Sequence, residues 1–137
     1  MKLIDRIKKP LSKIYIPLAW TLMIVILLAM PGNMLPSEQG FSIPNFDKVV
    51  HCTLFGGLVF FWCFYFYSKS ITVKKLLLIF FIAFLCAAIL GIGMEYVQKY
   101  FIPFRDFEEG DIIADIIGAS IAYGICNVWL IEEKNSH

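Results

Sequence analysis

The residues of this chain whose types could do chemistry fall into three short clusters. Asp47, Lys48 and His51 sit in DKVVH, and Glu95 and Gln98 sit in GMEYVQKY. Arg105, Asp111 and Asp115 follow in FRDFEEGDIIADIIG. Carboxylates beside a histidine suffice for general acid–base work. Lysine and arginine together pair a phosphate or carboxylate, while carboxylates take up amines, hydroxyls or hard cations. No nucleophile and no established metal motif accompanies them. No catalytic residue is therefore assigned. If the protein is an enzyme, Glu95 is the base and His51 is oriented by Asp47, with Asp115 completing the set. A divalent cation on His51, Glu95, Asp111 and Asp115 is the weaker option because the spacing matches no known metal site, so no metal and no cofactor is expected.

The spacing predicts how these groups are carried. Asp47 and His51 are four residues apart, as are Asp111 and Asp115, so each pair shares a helix face. Glu95 and Gln98 are i, i+3 neighbours. The helices that must carry them are unusually apolar. Of 137 residues 59% are hydrophobic and only 17% charged, against about 25% charged in an ordinary soluble domain. With a mean hydropathy of +0.74, a soluble fold of this size has no interior large enough for that surface. The net charge of +1 excludes the basic signature of nucleic-acid binding.

Apolar runs place spans at about residues 14–30, 49–68, 76–98 and 111–131, each near the 20 residues that cross about 30 Å of hydrocarbon. The expectation is an all-α, four-helix multi-pass transmembrane bundle. A basic N-terminus (1–13) precedes the domain at 14–131, and a short tail (132–137) follows it. Pro17 lies in the first turns of the first span, and Pro31-Gly32 ends it. The N-terminus, the 69–75 turn and the tail hold nine Lys or Arg, whereas the other side holds only Lys48, Lys99 and Arg105. That bias places both termini in the cytoplasm and the polar clusters outside. All the candidate residues then share one membrane side and depth.

Acids inside a span are costly and need partners, here Arg105, Lys48, His51 or a bound ion for Glu95 and Asp115. Small residues recur every four positions in the third span (Ala83, Ala87, Gly91) and the fourth (Ala114, Gly118, Ala122, Cys126). They predict that these two helices pack closely, with Gly91 and Gly118 as packing positions. Structural roles compete at several positions. Asp111 suits a helix N-cap. Asp106, Glu108 and Glu109 suit a solvated loop, and Lys48 and Lys99 suit interfacial anchors. Phe60 to Tyr67 suit a lipid-facing aromatic belt. The four cysteines read as small buried thiols.

In this order the motifs resemble those of the VanZ-like family of bacterial multi-pass membrane proteins. That family carries D-K-x-x-H, then E-x-x-Q, a downstream Arg and D-x-x-x-N-x-x-G. Here these positions read Asp47, Lys48, His51, Glu95, Gln98, Arg105, Asp111, Asp115 and Gly118, and the resemblance spans about residues 15–130. Asp115 departs from the family's usual Asn, and Glu108-Glu109 replaces a more neutral stretch. The resemblance implies a bacterial inner-membrane location. It also implies a link to teicoplanin, the lipoglycopeptide antibiotic to which the founding member reduces susceptibility. It supplies no reaction.

Two functions follow as expectations. The first is a binding protein whose outward site holds the head of a lipid-linked wall precursor or amphiphilic glycopeptide through Asp47, Lys48, His51, Glu95, Gln98, Arg105, Asp111 and Asp115. The second is a membrane enzyme using carboxylate and histidine acid–base chemistry on a lipid-linked or cell-surface substrate. A carrier is disfavoured by the small number of spans and the lack of an inverted repeat. The bilayer is the expected partner, and homo-oligomerisation stays open.

Overall fold

The computed structural model describes residues 10–34 and 45–136. The remaining parts of the basic N-terminus and of the first loop, and His137, lie outside the described residues. Among the described residues the chain is all-helical, with no strand. Helix α1 is Tyr15–Leu28, α2 is Phe46–Tyr67, α3 is Val73–Phe101 and α4 is Glu109–Ile125. A π-helical turn, Cys126–Leu130, joins α4 to the short α5, Ile131–Asn135.

Among the described residues three runs are long and apolar enough to cross a membrane: Phe46–Tyr67, Val73–Phe101 and Glu109–Asn135. The predicted first span is shorter as a regular helix. Tyr15–Leu28 has 14 residues, about 21 Å at about 1.5 Å per residue, less than the roughly 30 Å of a hydrocarbon core. Pro17 lies in its first turn and is buried, where the missing N–H breaks no helical bond. Helix α2 begins three residues before its expected start, α3 extends three residues past each expected end, and α4 begins two residues early, its helical run continuing to Asn135. Helix α3 stops at Phe101 because Pro103 disfavours helical geometry in the residue before it, and Ile102 is extended.

Two tryptophans fasten α1 to α2. The Trp20 indole donates to the Leu54 carbonyl at 2.9 Å, and Trp62 donates to the Thr21 hydroxyl at 3.1 Å. Gly57 gives the Trp20 ring its place, since a Cβ there would lie 2.7 Å from Trp20 Cζ2. The core between the helices is built on Ile24, Phe55, Val59, Phe64, Phe80 and Leu130, all fully buried. The aromatic run of α2 is therefore not a uniform lipid-facing belt, because Phe64 and Tyr67 point into that core. The thiols are also divided: Cys63 and Cys126 are buried, Cys52 is half-buried and Cys86 is exposed.

The third and fourth spans pack against each other as expected, with Ala87, Gly91, Ala114 and Gly118 of their stripes buried, but their closest glycine contact is not with each other. A tight helix–helix backbone approach joins α2 and α4, where a Cβ on Gly118 would overlap the Cys52 carbonyl and one on Gly56 would lie 3.2 Å from the Gly118 oxygen. Between α3 and α4, Gly91 faces the Asp115 side chain, and the Phe84 and Tyr123 rings lie 5.5 Å apart. Small residues every four positions mark close packing, but spacing alone does not name the partner helix.

This crossing sets a stability test. Gly118→Ala is expected to lower the unfolding temperature in detergent, with an overpacking cost of about 1–3 kcal/mol. Gly124→Ala has open space around its Cβ and is expected to hold or slightly raise it. Equal melting of the two variants would exclude the close α2–α4 crossing.

Candidate binding site

The first turns of α2 and α4 meet at one end of the bundle around a single ammonium group. Asn45, in the left-handed region at φ 57°, turns the chain into α2, a conformation asparagine tolerates better than most residues. Lys48 follows in the first turn. Its Nζ donates to Asp47 Oδ2 at 2.6 Å, Glu108 Oε2 at 2.5 Å and Asp111 Oδ1 at 2.6 Å. An ammonium has three donors, and each of these has its own carboxylate. The aliphatic stem of Lys48 passes over Gly110, where a Cβ would come within 2.8 Å of Cε. The carboxylates of Asp47, Glu108 and Asp111 offer oxygens within 4.8 Å of one another. That spacing suits a divalent cation, but the group the three share here is the Lys48 ammonium.

One turn into α2, His51 is buried between two acids of α4. Its Nδ1 lies 2.9 Å from Asp115 Oδ1, and its Nε2 lies 3.4 Å from Asp111 Oδ2. Asp111 and Asp115, one turn apart, thus flank the two ring nitrogens. Asp115 is 1% exposed, and its Oδ2 has no hydrogen-bond partner among the described residues. That oxygen lies where a Cβ on Gly91 would be 2.7 Å away, so the missing side chain on α3 makes room for the carboxylate. Glu95, also 1% exposed, accepts the backbone N–H of Glu108 through Oε2 at 2.9 Å. The α3–α4 loop is therefore pinned to the top of α3 by a buried acid.

Gln98 and Arg105 serve α1. Buried Gln98 donates to the Leu28 carbonyl at 2.9 Å, and Arg105 Nε reaches the Met30 carbonyl at 3.4 Å. The last carbonyls of a helix have no intrahelical partner, and these side chains supply donors. Between them, Gly32 N–H donates to the Pro103 carbonyl at 3.1 Å, and Phe104 turns the loop at φ 60°. A Cβ on Gly32 would overlap the Phe104 carbonyl.

The structure therefore brings Asp47, Lys48, His51, Asp111 and Asp115 into one contact network, with Glu95 joined through Glu108. Gln98 and Arg105 sit at the same end but face the end of α1. Asp111 is not the N-cap of α4. That position is Glu108, which makes no side-chain cap bond, and the Asp111 carboxylate instead takes Lys48 and His51. Lys48 is a paired cation rather than an interfacial anchor, whereas Lys99 is exposed and lies 5.4 Å from the Tyr100 and Phe107 ring centres. Sequence reading assigned Glu108 to the solvated loop. It is exposed, but it holds Lys48. Its place three residues before Asp111, at the entry to α4, is the available signal.

No protein-family model matches the chain, and no solved structure matches it. The chain is similar to a protein of Schizosaccharomyces pombe (strain 972 / ATCC 24843) named "Uncharacterized protein C11E3.10". The two are 32% identical over 103 residues, which is 74% of this chain and 59% of the fungal protein. The chain thus covers less than two thirds of that relative's length.

The network makes a quantitative prediction. Lys48→Met leaves three facing carboxylates without their shared donor and is expected to destabilise the protein by about 2 kcal/mol or more in thermal or chemical unfolding. Lys99→Met should leave stability unchanged. In double-mutant cycles, Lys48 should couple more strongly to Asp111, whose side chain is 8% exposed, than to Glu108 at 55%, because solvent weakens the outer pair. Equal coupling, or none, would remove Lys48 as the organising charge.

Proposed function

We propose that this chain is an integral membrane protein that binds the polar head of an amphiphile at the carboxylate-rich end of its bundle, taking up amines and hydroxyls rather than phosphates. The observation that carries this reading is the Lys48 ammonium, held by three carboxylate oxygens at 2.5–2.6 Å. Five acids belong to this contact network among the described residues: Asp47, Glu95, Glu108, Asp111 and Asp115. The basic groups among them are Lys48, whose three donors are engaged, and His51, which lies between Asp111 and Asp115. Arg105 turns its Nε to the Met30 carbonyl. An anionic head entering here meets an excess of like charge, while a cationic or hydrogen-donating head meets acceptors.

In this reading α1 and its flanking apolar residues complete a fourth crossing, both termini are cytoplasmic and the site faces outward. Support comes from the opposite end of the bundle, which is rich in lysine: Lys69 reaches the Ser12 carbonyl and Lys134 reaches the Lys69 carbonyl. The motif order resembles the VanZ-like family. The narrower reading is therefore a bacterial inner-membrane protein whose ligand is a lipid-linked wall precursor or a teicoplanin-type lipoglycopeptide. A similar sequence in a fungus favours framing the ligand by its head chemistry rather than by one antibiotic.

His51 also favours a second reading. Asp115 fixes one ring nitrogen at 2.9 Å, the arrangement that orients a histidine for proton transfer. Asp47, expected to orient His51, pairs with Lys48 instead, and Glu95, the expected base, takes the Glu108 amide, so an enzyme built this way would act on a lipid-linked substrate with His51 as base and Asp115 as its positioning partner. Product formation lost in His51→Gln, with head binding kept, would favour it over binding alone.

The direct test is equilibrium binding of dodecylamine and dodecyl phosphate to the protein in lipid nanodiscs. The amine is expected to bind at least ten-fold more tightly, and Asp111→Asn to weaken it about ten-fold, equivalent to about 1.4 kcal/mol. Preference for the phosphate would overturn the reading. Teicoplanin protection of a sensitive bacterium by the wild type, lost in Glu95→Gln, would support the narrower form. Absence of protection by the wild type would sink that form alone.

A further inference from the structure

A groove lined at its upper end by Lys48 runs down the seam between α2 and α4. On α2 the positions Lys48, Cys52, Gly56 and Phe60 recur every four residues and so lie along one face. The upper section of the groove, about 310 Å³, is lined by Lys48, Thr53 and Ile117. The lower section, about 370 Å³, is lined by Trp20, Gly56, Phe60 and Ile121. The sections share Cys52 and Thr53, so they adjoin along the seam. From Lys48 to Phe60 the seam runs about 18 Å along the helix at about 1.5 Å per residue. Gly56 and Gly57 contribute no side chain to its floor. Ile117, Ile121 and Ile125, each about half exposed at 49%, 55% and 49%, form its outer wall toward lipid.

We infer that this seam holds the single apolar chain of an amine-headed amphiphile whose head sits among Asp47, Glu108 and Asp111. The inference rests on the head-binding reading above. Charge complementarity and continuity select the occupant. The upper section is lined by the residue whose own –NH₃⁺ shows that the three carboxylates accept a primary ammonium. The lower section is apolar and of the size that ligand sites commonly have, about 300–1,000 Å³. Lys48 sits at the junction, with its side chain 26% exposed on a flexible four-carbon stem. An incoming ammonium exchanges with that of Lys48, and the chain follows the stem's path along the seam. A larger groove of about 410 Å³ beside Trp62, Ala83 and Ala87 includes no residue of the polar cluster and serves as the control.

Trp20 lines the seam groove and Trp62 the control groove, so each reports its own site. With Trp62 and Trp129 replaced by phenylalanine, the protein in nanodiscs is titrated with 9,10-dibromostearylamine, whose bromines quench nearby indoles. Saturable quenching of Trp20 is expected. Thr53→Phe, at an exposed position that plugs the junction, should raise the half-saturation concentration at least ten-fold. A variant retaining only Trp62 should show no saturable quenching. Linear quenching of Trp20 equal to that by the dibrominated hydrocarbon, or a titration unaffected by Thr53→Phe, overturns the groove assignment. If dodecylamine binding still falls in Asp111→Asn, the head site survives that failure. Saturable quenching that is identical for dibromostearyl phosphate and indifferent to Asp111→Asn overturns the amine-headed occupant.

Discussion

The Lys48 ammonium and its three carboxylates are the constraint on which this end of the molecule depends. A lone charge or a lone acid in a mostly apolar bundle is costly. Here that cost is met by bringing the start of α2, the end of the α3–α4 loop and the start of α4 to one point. Once Asp111 is fixed by Lys48, its second oxygen lies 3.4 Å from His51. The position of His51 in turn fixes that of Asp115, one turn deeper. The backbone contact between Gly118 and Cys52 holds the two helices close enough for all three pairings at once. Helix packing and the polar network are therefore two parts of one arrangement.

A second tier of bonds holds α1 and the loop in place. Glu95 anchors the loop through the Glu108 amide, and Gln98 and Arg105 supply donors to the carbonyls at the end of α1. Of these three residues only Glu95 carries a carboxylate like those of the central cluster, and all three stand at the same end of the bundle, yet their work differs. They set where the loop lies, and the loop delivers Glu108 to Lys48. Two acids therefore cooperate across α3 and α4 without touching, one holding the peptide and the other the ammonium.

Much of this was legible in the sequence because helical periodicity and the cost of charge in apolar spans leave few options. The spacing of Asp47 with His51 and of Asp111 with Asp115 put each pair on one face, and alternating topology put all of them at one end. The targets of the side chains were not legible. Gln98 bonds to the last carbonyl of α1 and Arg105 to the Met30 carbonyl just beyond it, and a carbonyl leaves no mark in a sequence. Gly118 and Gly91 read as one α3–α4 seam, yet Gly118 serves α2 and Gly91 serves a carboxylate, because spacing reports a close approach without naming its partner. Glu108 looked like one more charge in an acidic loop until the geometry of Lys48 showed a third donor to satisfy. The first span was expected to cross by its apolar length, but its regular helix is only 14 residues.

The central claim is that the carboxylates bind the ligand and that Lys48 occupies their site until one arrives. Chemical rescue tests it most directly. The unfolding temperature of Lys48→Ala, purified in a neutral detergent, would be followed against increasing n-butylamine, with n-butyl phosphate in parallel. The account expects the amine to restore stability saturably toward the wild-type value, and to do so much less when Asp111→Asn is added, while the phosphate does nothing. Rescue by the phosphate, or amine rescue indifferent to Asp111, would contradict it.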